Sequence, residues 1–288
     1  MSARFQSFVH HRVPVMFALA VWGALALARG AYADVVADNT PVSCAAAAKI
    51  SHVTSTACLD LAGRLVDQAH QYYLAGDTQS AQPYLEQAFR VAPGDLRVTF
   101  EQALVDDASG RPQQARQRYD ALHGTAMENA MAVPSAVNFA VLGRFDDARK
   151  AFAGLSGSAD AYVAGYAQLW QLWLDARTFS SEDTAALRNR LAKAVTGLRP
   201  ANAQQQALLR LYAGQGDVDT VFAAIEASTP AGSLQRRDSR TEAAFFAGGY
   251  LQYVQRDASA AARLYSRELP QSGASVERPL IQQSIAAP

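Results

Sequence analysis

The residues of this chain that could do chemistry unaided are few, and their spacing does not suit it. Outside the first 33 residues the histidines are His52, His70 and His123, too scattered for a metal motif, and neither HExxH nor CxxC occurs. Gly154, Ser156 and Gly157 approach a nucleophile elbow, but the second glycine comes one residue early for that turn. Gly214 and Gly216 could open a dinucleotide loop, yet no third glycine follows at the required spacing and no strand pattern precedes them. Asp217 and Asp219 lack the other ligands of a calcium loop. The acid pairs Asp106–Asp107 and Asp146–Asp147 fall at expected helix ends, where acidic residues are ordinary. The expectation is a non-enzymatic chain with no catalytic residue, no cofactor and no metal.

Cys44 and Cys58 are the only cysteines. In an oxidising compartment an even pair reads first as a disulfide, the alternative being two buried thiols. One unbroken helix would hold residues 14 apart at ~21 Å, so a bond needs a bend, and Ser51–Thr56 offers a turn and an N-cap. The compartment follows from the start of the chain. Arg4, His10, His11 and Arg12 precede an apolar run from Val13 to Ala28, and Ala31 and Ala33 are small residues placed for signal peptidase. At 16 residues the run is short of the ~20 that span a bilayer, although an uncleaved anchor is the alternative. We therefore expect a signal peptide over 1–33, a periplasmic protein starting at Asp34, and no lipid anchor, since no cysteine closely follows the run. Removing Arg4, Arg12 and Arg29 from 26 basic residues leaves 23 against 26 acidic ones, a net of −3. That balance gives no electrostatic footprint for nucleic acid or an anionic membrane.

The elements that must position any site repeat at a fixed interval. Gly76, Ala81 and Leu85 are answered 34 residues later by Gly110, Ala115 and Tyr119, and Ala69 by Ala103. Leu61, Leu65, Ala69 and Tyr72 lie on one face of a first helix, Gly76 stops it, and Ala81, Leu85, Ala88 and Phe89 stripe a second. Gly143, Ala148 and Phe152 give a third copy at a spacing of 33. Gly216, Val221 and Ile225 give a later one, and Gly249, Ala261 and Tyr265 a last, with Arg256 in place of the turn glycine. At these residues the chain resembles the tetratricopeptide (TPR) family. The resemblance implies an all-α, TPR-like α-solenoid of stacked antiparallel helix pairs in a right-handed superhelix. The expected organisation is a disulfide-stapled extension over 34–56, three repeats over 57–155, degenerate helix pairs over 156–232, and a last pair with an amphipathic capping helix over 233–288. That final helix, Ser275–Ala287, is expected to shield the open end of the stack and to begin near Pro279.

In such an array the first helix of each pair lines a groove suited to an extended peptide or a partner helix. Residues off the packing stripe are its expected lining: His70, Tyr73 and Leu74; Arg97, Phe100 and Asp107; and Phe246, Tyr250 and Tyr253. Tyr162, Tyr166, Leu169 and Trp173 share a helix face and read as core, while Trp170, off that line, is the candidate for a partner surface. Trp170 and Trp173, the pair around Leu211–Gly216, Glu242–Gly249 and Ser275–Arg278 also resemble NlpI-type periplasmic TPR proteins. Members of that family are lipid-anchored adaptors that gather cell-wall hydrolases and proteases; this chain departs in lacking the lipidation cysteine. The expected function is a periplasmic scaffold for protein or peptide partners of the cell envelope, the alternative being a structural component of a polysaccharide or outer-membrane secretion apparatus.

Overall fold

The structure, a computed structural model, describes Cys44 and residues 56–180 and 183–286. The expected signal peptide lies outside the described residues, as does all of the expected extension but Cys44 and Thr56. The described residues form thirteen α-helices and no strand: α1 Thr56–Leu74, α2 Thr78–Val91, α3 Leu96–Ala108, α4 Pro112–Ala121, α5 Glu128–Val141, α6 Phe145–Leu155 and α7 Ala161–Arg177, then α8 Thr184–Val195, α9 Ala203–Tyr212, α10 Val218–Ser228, α11 Leu234–Gly249, α12 Ala258–Glu268 and α13 Arg278–Ala286. A π turn, Tyr250–Val254, prolongs α11.

Local sequence sets the helix ends. Asp77, Asp95, Asp160, Asp183, Asn202, Asp217, Ser233 and Asp257 each accept a backbone N–H of the first turn that follows, meeting donors that a helix start leaves free. Gly76 ends α1 at φ 78°, a left-handed conformation that costs a side-chain-bearing residue about 1–2 kcal/mol. There the Asp77 N–H reaches back to the Tyr72 carbonyl at 2.9 Å, and the same bond recurs from Arg111 to Asp106 and from Arg144 to Phe139. The recurring glycines are therefore helix stops. In the fourth turn of this kind Gly214, at φ 73°, takes the left-handed position expected of Gly216; Gln215 and Gly216 lengthen the loop before the Asp217 cap. Arg256 stands in the last such turn at φ 61°.

Helices joined by these turns pack on each other as pairs, α1 with α2, α3 with α4, α5 with α6, α9 with α10 and α11 with α12. Neighbouring first helices also meet, α1 with α3, α3 with α5, α7 with α9 and α9 with α11. Small residues set the close approaches. A Cβ on Gly249 would lie 2.4 Å from the Trp173 indole, and one on Gly248 would lie 2.2 Å from the Tyr265 ring. Two expected stripes are corrected. In α1 the buried line is Ala62, Val66, Ala69 and Tyr73, one residue round from Leu61, Leu65 and Tyr72, because α1 touches both α2 and α3. In α2 the buried line is Ala81, Leu85, Ala88 and Val91, and Phe89 is left 45 % exposed.

The chain after α12 departs furthest from expectation. Residues 272–281, here called the strap, do not simply cover an end. Ala274 is buried among residues of the first two pairs, and α13 touches α3, α11 and α12. The strap thus links the last pair to the first two. Pro279 is the second residue of α13, where its missing N–H costs nothing, as expected of a helix that starts near it. Cys44 and Cys58 stand at disulfide distance, their Cα atoms 5.7 Å apart.

Candidate functional site

The residues nominated for a partner groove divide into three groups. The first surrounds the strap. Tyr73 of α1 is 2 % exposed, and with Asp107 of α3, Tyr119 of α4 and Val137 of α5 it walls a cavity of only about 10 Å³, closed by Ser275, Val276 and Pro279. Burial pushes the Asp107 carboxyl up to about 7, although Asn138 Nδ2 donates to it at 2.7 Å. Burial likewise raises the Tyr73 hydroxyl far above its ordinary value. At these residues the chain's own strap takes the place expected for a partner.

The second group is core. Trp170 is fully buried, stacked on Phe152 with ring centroids 4.8 Å apart and tilted against Phe245, so it offers no surface to a partner. Its helix, α7, is enclosed by α6, α8, α9 and α11, and helical spacing alone could not reveal that its off-stripe face is covered too. Phe246 is fully buried and Tyr250 6 % exposed; the Tyr212 hydroxyl donates to the Phe246 carbonyl at 3.0 Å.

The third group lies at the periphery. Arg97 bonds Asp95 at 2.6 Å and remains half exposed. His70 Nδ1 sits 2.9 Å from Glu101. Burial alone would lower the His70 imidazole, but the bond to Glu101 and its charge outweigh that and hold it above its ordinary value. Leu74 and Phe100 are half-buried, and so is Tyr253, beneath the Arg177 guanidinium.

A polar network not among the expected site residues runs through the middle of the molecule. Glu242 of α11 and Glu277 of the strap are 4 % and 3 % exposed. The Tyr162 hydroxyl donates to Glu242 and the Tyr166 hydroxyl to Glu277, both from α7. Burial, and then the charge of Glu277, pushes Glu242 up to about 8. Burial also raises Glu277, while Asp238 is pushed up to about 7 by burial and by Glu277. Near neutral pH the network therefore holds protons that the separated side chains would have lost. A signal for it was present: Glu242 opens the apolar run to Gly249, and Glu277 lies in a short apolar tail, both poor positions for a solvated carboxylate.

One tyrosine–carboxyl bond, Tyr166 to Glu277, ties the strap to α7, and the other, Tyr162 to Glu242, ties α7 to α11. No group of His, Cys, Asp or Glu among the described residues is arranged to hold a metal ion. No helix of the described residues is long and apolar enough to cross a membrane. Comparison with protein-family models and with curated proteins finds no match to this chain.

Proposed function

We propose that the protein is a non-enzymatic interaction scaffold of the bacterial periplasm, a TPR-like α-solenoid of antiparallel helix pairs in a right-handed superhelix, exported by a cleaved signal peptide over 1–33. The single observation that carries this reading is the repeated stop. Gly76, Gly110 and Gly143 end the first helices of three successive pairs in the same left-handed turn, and the helices so separated pack as pairs and meet their neighbours. Each such unit buries its apolar face only by stacking, and a stack offers a long surface in place of a reaction site. The disulfide-distance pair supports an oxidising compartment. Partners in this reading are cell-envelope proteins such as wall hydrolases or proteases.

A second reading, a structural component of a polysaccharide or outer-membrane secretion apparatus, draws on one observation. The strap already fills the inner side of the first pairs, which leaves outer faces for a large, fixed interface. Site-specific photocrosslinking of the intact protein in cells distinguishes the two. A crosslinker at exposed Phe89 should capture envelope hydrolases or proteases under the adaptor reading, and a synthase or porin under the second. If positions on both the strap and α2 capture only what a non-incorporating control captures, the scaffold proposal fails.

A further inference from the structure

The α1–α2 turn, the start of α11 and the strap converge on a cleft of about 550 Å³. Its walls carry four arginines, Arg236, Arg237, Arg240 and Arg278, and no carboxylate. Two of the four are neutralised from behind. Arg240 makes a two-pronged bond to Glu268 and a third to Glu226, and Arg236 pairs with Glu226 at 2.6 Å. Arg237 and Arg278 have no carboxylate within ion-pairing distance among the described residues. Arg237 is exposed; Arg278 is half-buried and donates only to the carbonyl and hydroxyl of Ser272. Burial lowers the Arg278 guanidinium below its ordinary value, the mark of a charge left poorly solvated.

Asp238, beside Arg237, offsets this charge only in part, since it makes no ion pair with Arg237 and burial pushes its carboxyl up to about 7. It is not on the cleft wall, and it lies against the strap backbone, where a Cβ on Gly273 would come within 2.4 Å of its Oδ1 and 3.9 Å of the Arg237 Cβ. The same contact fixes the strap beside Arg237. The α11 N-terminus, sixteen residues long and opening at Ser233 in the cleft wall, adds its positive end. Two guanidinium groups without an ion pair among the described residues thus stand on two separate elements, α11 and α13, and each can take one oxyanion in a forked bond. A cleft of this volume falls in the range of small-ligand sites.

We infer that this cleft is a binding site for a small polyanion carrying two oxyanion groups, held by Arg237 and Arg278 and closed by Ser272 of the strap and the Gly76 turn. Such a ligand joins three distant segments of the chain and so stabilises the folded form.

The test is calorimetric titration of the intact protein with pyrophosphate and, separately, with succinate, at ionic strength matched by chloride. One probe at least should bind with one-to-one stoichiometry and raise Tm. Arg237→Gln and Arg278→Gln should each weaken binding about tenfold, the loss expected of one charged hydrogen-bonded contact, while Arg64→Gln on α1 should leave it unchanged. Preference for pyrophosphate assigns the site to phosphate groups, and preference for succinate to carboxylates. Because Arg237 is exposed, Arg237→Gln keeps the test valid even if Arg278→Gln perturbs folding. Absence of binding by both probes, or binding that neither substitution weakens, overturns the proposal.

Discussion

Phe89 and Leu85 show what residue identity does and does not decide. Both fit the apolar line of α2, yet Leu85 is 2 % exposed and Phe89 45 %. Leu85→Ala should cost about 2–5 kcal/mol by leaving a cavity, whereas Phe89→Ala should stay within about 0.5 kcal/mol. Urea denaturation of the two variants checks this, and equal losses would mean that Phe89 is covered in the folded protein. Gly248 makes the complementary case, a residue needed for its smallness. A methyl there would press on the Tyr265 ring, so Gly248→Ala should destabilise by about 1–3 kcal/mol despite a better helix propensity.

At the scale of elements, the strap carries the pH dependence. Glu242, Glu277 and Asp238 are all raised in the folded chain, burial being the first cause in each. They face Tyr162 and Tyr166 of α7, Gln204 of α9, Arg237 beside Asp238, and Ser275 beside Glu277. The folded form binds these protons more tightly than the unfolded chain does. Their contribution is therefore fully present below the ordinary carboxylate range and is lost as pH rises toward about 8. His70, also raised, acts in the same direction. Tm should fall by at least ~3 °C between pH 5.5 and pH 8, the effect of roughly 1 kcal/mol on a chain of this size. Glu242→Gln should flatten that slope, since an amide keeps the hydrogen bond without the ionisation. A Tm that is level or rising over this interval would remove the strap's dependence on bound protons.

The whole molecule has two closures, one covalent and one by packing. Reducing the Cys44–Cys58 pair should lower stability by about 3 kcal/mol, the loop-closure effect for a separation of 14 residues. Thermal melts with and without reductant would show it, together with two new thiols by titration after reduction. The second closure, the strap, makes the last pair and the first two one cooperative body, so a single unfolding transition is expected where a simple stack permits several.

By itself the amino-acid sequence determined the helices, their stops and most of their starts. Gly76, Gly110 and Gly143 and the acidic N-caps act within a few residues of chain, through conformations and hydrogen bonds that need no distant partner. It also identified the two cysteines that meet. It did not determine which off-stripe residues stay exposed. Local periodicity puts Tyr73, Trp170, Phe246 and Tyr250 off the packing stripe, yet all four are buried by elements far along the chain. Nor did it place Glu277 on Tyr166, a bond across 111 residues, or bring Arg278 to the cleft that holds Arg237. Helical period tells which side chains share a face; only the packing of the strap against α1, α3, α5 and α7 decides whether that face meets water, a partner or the chain itself, because that depends on contacts whose separation in sequence has no pattern to read.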